Sequence, residues 1–442
     1  MARPLPPGPR GIGFAFLRRA ARGGLLAYLA ETAARYGPVS SLRLGTQRIV
    51  IVDEPALIEE ILVTRQHEFV RDVGATLLRE LVGEGLLTTE DPPHLARRRI
   101  MQPAFHRARV AQYASTIVAE TERVANAWTG RPLDAGAEMA KLTLAAVGAT
   151  LFGADLRDEA RGIADVLARV LARGTSLAAL LAFAAPFLGP LHRLFPGRRS
   201  ILFPRERAEL DAIVAPIVKR RHDSAGDDLL SLLLAARDGA SALDDEAIRN
   251  EVVMLILAGH ETTANALTWT WYLLGQHPDV EARVHAEVDA VLGDRRAPAF
   301  DDVPHLPYVA SVFDEVLRLY PPAGAFARRP LRATELGGYA IPKRASVYVS
   351  PFVTQRNARY FPEPLGFDPD RAVPQQKFAY FPFGGGSKMC IGEPFARMEA
   401  ILAIATIARR FSLRRTDDEP IEPAAQALVR PSRPVMVEAI AR

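Results

Sequence analysis

Phe383-Gly384-Gly385-Gly386-Ser387-Lys388-Met389-Cys390-Ile391-Gly392 is the stretch on which the fold turns. It holds the only cysteine of a 442-residue chain, and close behind it an apolar run through Ala400 to Ile407 reads as a helix. A cysteine just ahead of a helix start meets free backbone N–H groups and the positive end of the helix dipole, which together favour a thiolate. The three glycines remove side chains and open left-handed backbone, so the loop can lie flat against a planar group. A plain turn or a phosphate cradle would use glycines too, but a phosphate loop ends in Gly-Lys-Ser or Gly-Lys-Thr, which Lys388-Met389 does not supply. A lone cysteine is more often a small buried apolar residue, so the neighbours must decide.

Upstream, Val252 to Leu274 is a long apolar stretch interrupted by Ala258-Gly259-His260-Glu261-Thr262-Thr263 and Asn265. Hydrocarbon would penalise those polar residues, so the segment reads as a helix crossing a protein core and not a bilayer. Thr262 can bond back to the Ala258 carbonyl one turn earlier, and the small Ala258 and Gly259 leave room beside it. A Thr-bonded kink with a solvated Glu261 accounts for the same residues about as well. Glu315 and Arg318 share a helix face before Pro321-Pro322, a pairing that is common on surfaces and worth little by itself. Asp91-Pro92 reads as a helix start, after which His94 and Arg98 project on one side and suit a dianionic ligand. Arg97 and Arg99 read as a basic solvated face. His260 is read as a satisfied helix histidine or a cavity-lining one, and Trp269 and Trp271 as core.

The wider chain is read as follows. Leu25 to Tyr36 is a helix, Val39 to Leu44 and Arg48 to Val52 are two short strands, and helices dominate from about Pro55 to Leu319. Short strands and Pro/Gly-rich loops then follow, until a last long helix near Pro394 to Arg410. No repeat and no Gly/Ser linker appears, so residues 1–442 are expected to form a single, mainly α domain with a minor β region, preceded by a Pro/Arg-rich segment over 1–22. That segment has the arginines of a transit peptide, but its prolines oppose the amphipathic helix such a peptide needs. Leu177 to Leu191 is apolar but too short to span a bilayer, and reads as a mobile helix pair over a substrate entrance.

With 49% hydrophobic and 24% charged residues the chain is a folded, soluble type, and its +4 net charge is dispersed, which gives no footprint for nucleic acid. One cysteine excludes an internal disulfide and a multi-thiolate zinc site, and fits a reducing, cytoplasmic setting. No transmembrane anchor is expected.

The decapeptide closely resembles the haem-binding signature of the cytochrome P450 monooxygenases of the soluble bacterial type. The resemblance implies the fold of that family, with haem b (heme b, iron protoporphyrin IX) between the long central helix and the Cys-carrying loop. It makes Cys390 the iron ligand, with Phe383 near its sulfur and Gly384, Ile391 and Gly392 in the cofactor loop. The family's usual arginine two before the cysteine is Lys388 here, which keeps the charge and loses the planar fork. Ala258 to Thr263 resembles the oxygen-activation motif, in which Glu261 and Thr262 would relay protons and Ala258 and Gly259 would adjoin the cofactor. Glu315-x-x-Arg318 with Arg371 resembles the structural triad that holds the cysteine loop. His94-x-x-x-Arg98 and Arg328 match propionate-binding positions. The five motifs run in the expected order over nearly the whole chain.

The function implied is insertion of one oxygen atom from O2 into a hydrophobic small molecule, lipid-like, terpenoid or similar. Electrons would come from NAD(P)H through separate partners, a ferredoxin and ferredoxin reductase, since the residues after Cys390 are too few for a fused reductase. The docking face would draw on Arg97, Arg99, Arg107, Arg109 and Arg397 of a monomer. The pocket would draw on Val73 to Leu87, Leu177 to Leu191, Val253 to Ala258 and Ala323 to Phe326. A haem-thiolate peroxygenase or isomerase, or a non-catalytic haem sensor, would keep Cys390 without needing the Glu261-Thr262 pair. A cysteine hydrolase fits the glycine run poorly.

Overall fold

Helices carry most of the molecule, and two of them, each mostly buried, cross its interior. The computed structural model describes residues 3–9, 24–44, 46–128, 130–157, 203–222, 228–236, 243–372, 374–425 and 428–442, with 159, 162–163, 165–166 and 169–170. The expected entrance segment, Leu177 to Leu191, and most of 1–22 lie outside the described residues.

The helices that position the site are α1 (Leu25–Tyr36), α2 (Val73–Val82), α3 (Pro93–Met101), α4 (Arg107–Asn126), α5 (Ala135–Leu151), α6 (Pro204–His222), α7 (Asp245–Leu274), α8 (Pro278–Leu292), α9 (Pro307–Leu319) and α10 (Glu393–Ala408). Helix α7 has 30 residues and so runs about 45 Å. The Asp244 side chain accepts from the Ala247 N–H at 2.7 Å, and Asp245 and Glu246 complement the dipole of its first turn. Its flanks pack on α5 and α10. Thr143 of α5 donates to the His260 carbonyl at 3.0 Å, and a Cβ at Gly259 would come 3.1 Å from Val147, so Gly259 sets the approach of the two helices. Every residue of α10 from Met398 to Ala408 is buried. Trp269 and Trp271 are buried as expected, and Trp269 stacks on Tyr320 at 3.8 Å.

Five strands form the larger sheet: β1 (Val39–Leu44), β2 (Gln47–Val52), β3 (Phe69–Arg71), β4 (Phe326–Pro330) and β5 (Ser346–Val349), in the order β1-β2-β5-β4-β3. Only β2 and β5 run parallel, with Val50 opposite Val347. The N-terminal prolines are tied down at two places: the Ser41 N–H of β1 donates to Pro7, and the Ala340 N–H, in a separate two-stranded ribbon, donates to Pro4. A smaller sheet joins β6 (Phe411–Arg415) to β7 (Met436–Ala441). Strand β3 falls within the stretch from about Pro55 to Leu319 that the sequence reads as dominated by helices. Three residues show no periodicity of their own, and their strand character comes from pairing with β4, more than 250 positions away. Among the described residues, no helix is long and apolar enough to cross a membrane.

Candidate active site

Cys390 sits in the turn before α10, whose first residues are Glu393 and Pro394. Its N–H donates to the Phe383 carbonyl at 3.0 Å, and Met389 N–H to Gly386 at 3.1 Å, so the decapeptide closes into a compact loop. Gly384 and Gly386 have φ of +78° and +71°. A Cβ on Gly386 would fall 1.9 Å from the Leu62 carbonyl oxygen, and one on Gly385 would fall 2.7 Å from Phe378. The glycines are therefore required by protein packed behind the loop as well as by its left-handed turns.

Cys390 is solvent-accessible, yet enough protein surrounds it that burial pushes its thiol up to about 11. The backbone N–H groups of Gly392 and Glu393 act in the other direction without prevailing. Burial thus opposes the thiolate that the helix start favours, and a cation on the sulfur would add to the favouring side.

Cations gather around this loop. Arg98 of α3 donates to the Met389 carbonyl at 2.7 Å. Lys388 pairs with Glu90, which also accepts from Arg71 N–H at 2.6 Å. Arg328 of β4 donates to its neighbour Ala327 at 3.1 Å, and burial, helped by Arg71, pushes it down to about 10. Burial also lowers His94, whose Nδ1 lies 3.0 Å from Asp91, so at pH 7 the neutral imidazole gives its one N–H to that carboxylate and leaves Nε2 as an acceptor. Helix α3 begins at Pro93, and Asp91 serves His94 instead of capping the backbone. An accessible thiol beside under-compensated buried cations fits an iron porphyrin with two carboxylates.

Beyond the first turns of α7, the residues only partly buried are Leu257, Ala258, Gly259, Glu261, Thr262 and Asn265, a stripe at helical spacing on an otherwise packed stretch from Asn250 to Leu274. Thr262 Oγ1 donates to the Ala258 carbonyl at 2.7 Å. Burial raises the Glu261 carboxyl, and Arg430 opposes that rise. Glu261 and His260 line a cavity of about 420 Å³ together with Asp134, Asn265 and Arg430. His260 is 2% exposed, burial holds it at about 4, and its Nδ1 has no hydrogen-bond partner among the described residues. It is thus a cavity-lining histidine and not a satisfied one. Of the pocket stretch Val253 to Ala258, Val253 to Ile256 are buried and the accessible positions begin at Leu257.

Glu315, Arg318 and Arg371 come together: Arg318 makes two bonds to Glu315 at 2.7 and 2.8 Å, and Arg371 a third at 3.1 Å. Arg318 also donates to the carbonyls of Gln355, Pro364 and Gly366. Gln355, fully buried and missed by sequence reasoning, supplies the physical link to the cysteine loop. Its amide donates to the Leu317 and Arg318 carbonyls while its oxygen accepts from Phe381 N–H at 2.9 Å. Phe383 follows two residues later and packs under the Arg397 guanidinium.

Two further readings change, and one buried carboxylate was missed. Arg97 is not on a solvated face, because it pairs at 2.8 Å with Glu251, a fully buried carboxylate of α7 that also accepts from Leu86 N–H. Arg397 is engaged by Asp314 and Glu393, whereas Arg99 and Arg107 are exposed. Glu399 of α10 is fully buried, and burial pushes its carboxyl well above the usual range, with Thr263 the one group opposing. Its position inside an apolar run was the signal that could have flagged it.

Comparison with known proteins gives a match to the cytochrome P450 family model over residues 4–439. The chain is 38% identical over 415 residues to cyclooctatin synthase of Streptomyces melanosporofaciens, covering 91% of this chain and 88% of that protein. It is 36% identical to cyclooctat-9-en-7-ol 5-monooxygenase of the same organism, covering 88% and 85%. It is 31% identical to pentalenene oxygenase of Streptomyces avermitilis, covering 93% and 92%.

Proposed function

Because the chain belongs to the cytochrome P450 family, we propose that it is a haem-thiolate monooxygenase whose substrate is a terpenoid hydrocarbon or alcohol. Haem bound here supplies reductive activation of dioxygen with NAD(P)H-derived electrons, one oxygen atom entering the substrate and the other leaving as water. Cys390 holds the iron as thiolate, and Phe383, Gly384, Ile391 and Gly392 form the loop around it. Arg328 and Arg98 would face the carboxylates, joined by His94, whose Nε2 donates to them once the ring takes up a proton. Glu261, raised by burial, stays protonated to higher pH than an ordinary carboxyl and so serves as a proton donor beside the Thr262 hydroxyl. The Glu315, Arg318 and Arg371 triad positions the cysteine loop through Gln355.

Cys390 carries this reading: the one thiol in the chain is accessible, enclosed, and held by a loop that tolerates no side chain at Gly386. The accessible stripe on α7 is small or aliphatic apart from Glu261, Thr262 and Asn265, which suits an apolar substrate. The names of the three relatives support the terpenoid class. Family members of this type take electrons from separate redox partners; for this chain a ferredoxin with its reductase is proposed, meeting exposed Arg99 and Arg107. A monomeric, cytoplasmic protein built as one domain completes the reading.

The test is a spin-state titration of the purified holoprotein with a panel of cyclic terpene hydrocarbons and alcohols against fatty acids and steroids. A shift confined to terpenoids is expected, and a shift only with the others would remove the substrate assignment. Cys390→Ser is expected to lose the red-shifted ferrous–CO band; a band retained by that variant would remove the ligand assignment.

A further inference from the structure

Strands β3 and β4 pair antiparallel with Arg71 directly opposite Arg328. Like charges facing each other across a strand pair destabilise it unless something negative stands between or beside them. Both guanidinium groups are short of water: the Arg71 side chain is 11% exposed, and burial lowers both groups. Arg328 has no carboxylate partner among the described residues.

Among the described residues, Glu90 is the acidic residue paired directly with this group, and Asp91 acts on Arg71 from further off. Glu90 accepts from the Arg71 backbone N–H, is paired with Lys388, and lies 4.0 Å from the Arg71 guanidinium. Asp91 is engaged by His94, which is neutral. Arg71, Arg328 and Lys388 against Glu90 and Asp91 leave one positive charge unmatched, and Arg98, which donates to the Met389 carbonyl, adds a second.

We propose that Arg71 is a haem-carboxylate residue, acting with Arg328 across the strand pair, and that Glu90 is the counter-ion that keeps Lys388 engaged. A lysine at 388 lacks the fork of a guanidinium, and the strand partner of Arg328 supplies one instead. The Arg71 side chain is held for this by the Thr89 and Leu86 carbonyls, to which it donates at 2.5 and 3.2 Å.

The inference rests on the haem-thiolate reading, and the test separates the two. Ferric holoprotein is mixed with excess apomyoglobin and the rate of haem transfer is followed, alongside the ferric/ferrous midpoint potential. Arg71→Gln is expected to transfer haem roughly ten-fold faster or more, since a charge-assisted bond is lost. Arg71→Lys keeps the charge but cannot hold both carbonyls, so it is expected to fall between wild type and Arg71→Gln. The midpoint is expected to fall in Arg71→Gln and to rise in Glu90→Gln, opposite signs that loosened packing alone does not produce. Unchanged transfer in Arg71→Gln, or transfer in Arg71→Lys as fast as in Arg71→Gln, overturns the inference. Where Arg71→Gln yields no holoprotein, Glu90→Gln decides: a raised midpoint supports the inference and an unchanged or lowered one overturns it. Wild type that carries no haem at all would instead remove the functional reading.

Discussion

Exchanging Glu315 for Gln keeps the shape of the triad and removes its only negative charge. The loss covers two charge-assisted bonds from Arg318, one from Arg371 and one from the Asp368 N–H. Arg318 is 2% exposed, so its guanidinium is left buried with carbonyl partners alone. Breaking a buried pair from one side costs about 3–5 kcal/mol, because the remaining charge stays desolvated. With an unfolding entropy of about 0.9 kcal/mol/K for a chain this long, that corresponds to a fall of roughly 4 °C in the melting midpoint. Arg318→Met should cost more. It strands the carboxylate and also removes the donors to Gln355, Pro364 and Gly366, each buried carbonyl costing about 1–3 kcal/mol when left unpaired. The assay is thermal loss of the haem absorption band with haem content measured per chain, across Glu315→Gln, Arg318→Met and Arg371→Gln. The expected order of damage is Arg318, then Glu315, then Arg371. A Glu315→Gln protein that melts within about a degree of wild type and keeps its full haem content would refute the claim that this network holds the cysteine loop.

Thr262→Ala removes the hydroxyl that bonds to Ala258. It should keep the ferrous–CO band while sending reducing equivalents to peroxide, and unchanged product per NAD(P)H would sink the relay role. His260 has its folded value pushed from 6.5 down to about 4 by burial. A depressed imidazole contributes stability that is present above 6.5 and is lost as pH falls toward 4, in all about 3 kcal/mol. Melting midpoints measured from pH 7 to 4 should therefore decline less steeply in His260→Gln, and parallel profiles would count against it. Gly386→Ala places a methyl group against the Leu62 carbonyl at a φ of +71°. It should cost at least about 1–2 kcal/mol in backbone strain alone and lower haem content, where Gly392→Ala, with its nearest neighbour at 3.8 Å, should be milder.

How much was legible in the sequence depends on how far apart the deciding residues lie. Helix α1 is found at Leu25–Tyr36 as read, because its apolar spacing is local and Gly37, at φ +102°, ends it. The return bond from Thr262 to Ala258 is likewise a property of four consecutive positions. Arg97 was misread for the opposite reason. Seen beside Arg98 and Arg99 it belongs to a basic run, and only Glu251, 154 positions on, shows that it points inward. Arg71 escaped notice because a three-residue strand carries no period, and its meaning lies in the register that sets it against Arg328.

The same distinction governs what the motifs say about chemistry. A motif reports which atoms are at hand; the balance of enclosure and charge decides what state they are in. The dipole argument for a Cys390 thiolate was sound in sign, yet two backbone donors are a smaller effect than desolvation of an anion among packed protein. It follows that the loop does not hold an anion ready. In the proposed ligand role, burial keeps the proton on the Cys390 thiol until iron takes its place, so haem binding should release about one proton per chain at neutral pH. Glu261 obeys the same rule from the acid side: enclosure in α7 keeps its proton on, and Arg430 limits how firmly. In both places the surrounding protein opposes charge, and a cation at a defined position is what permits it.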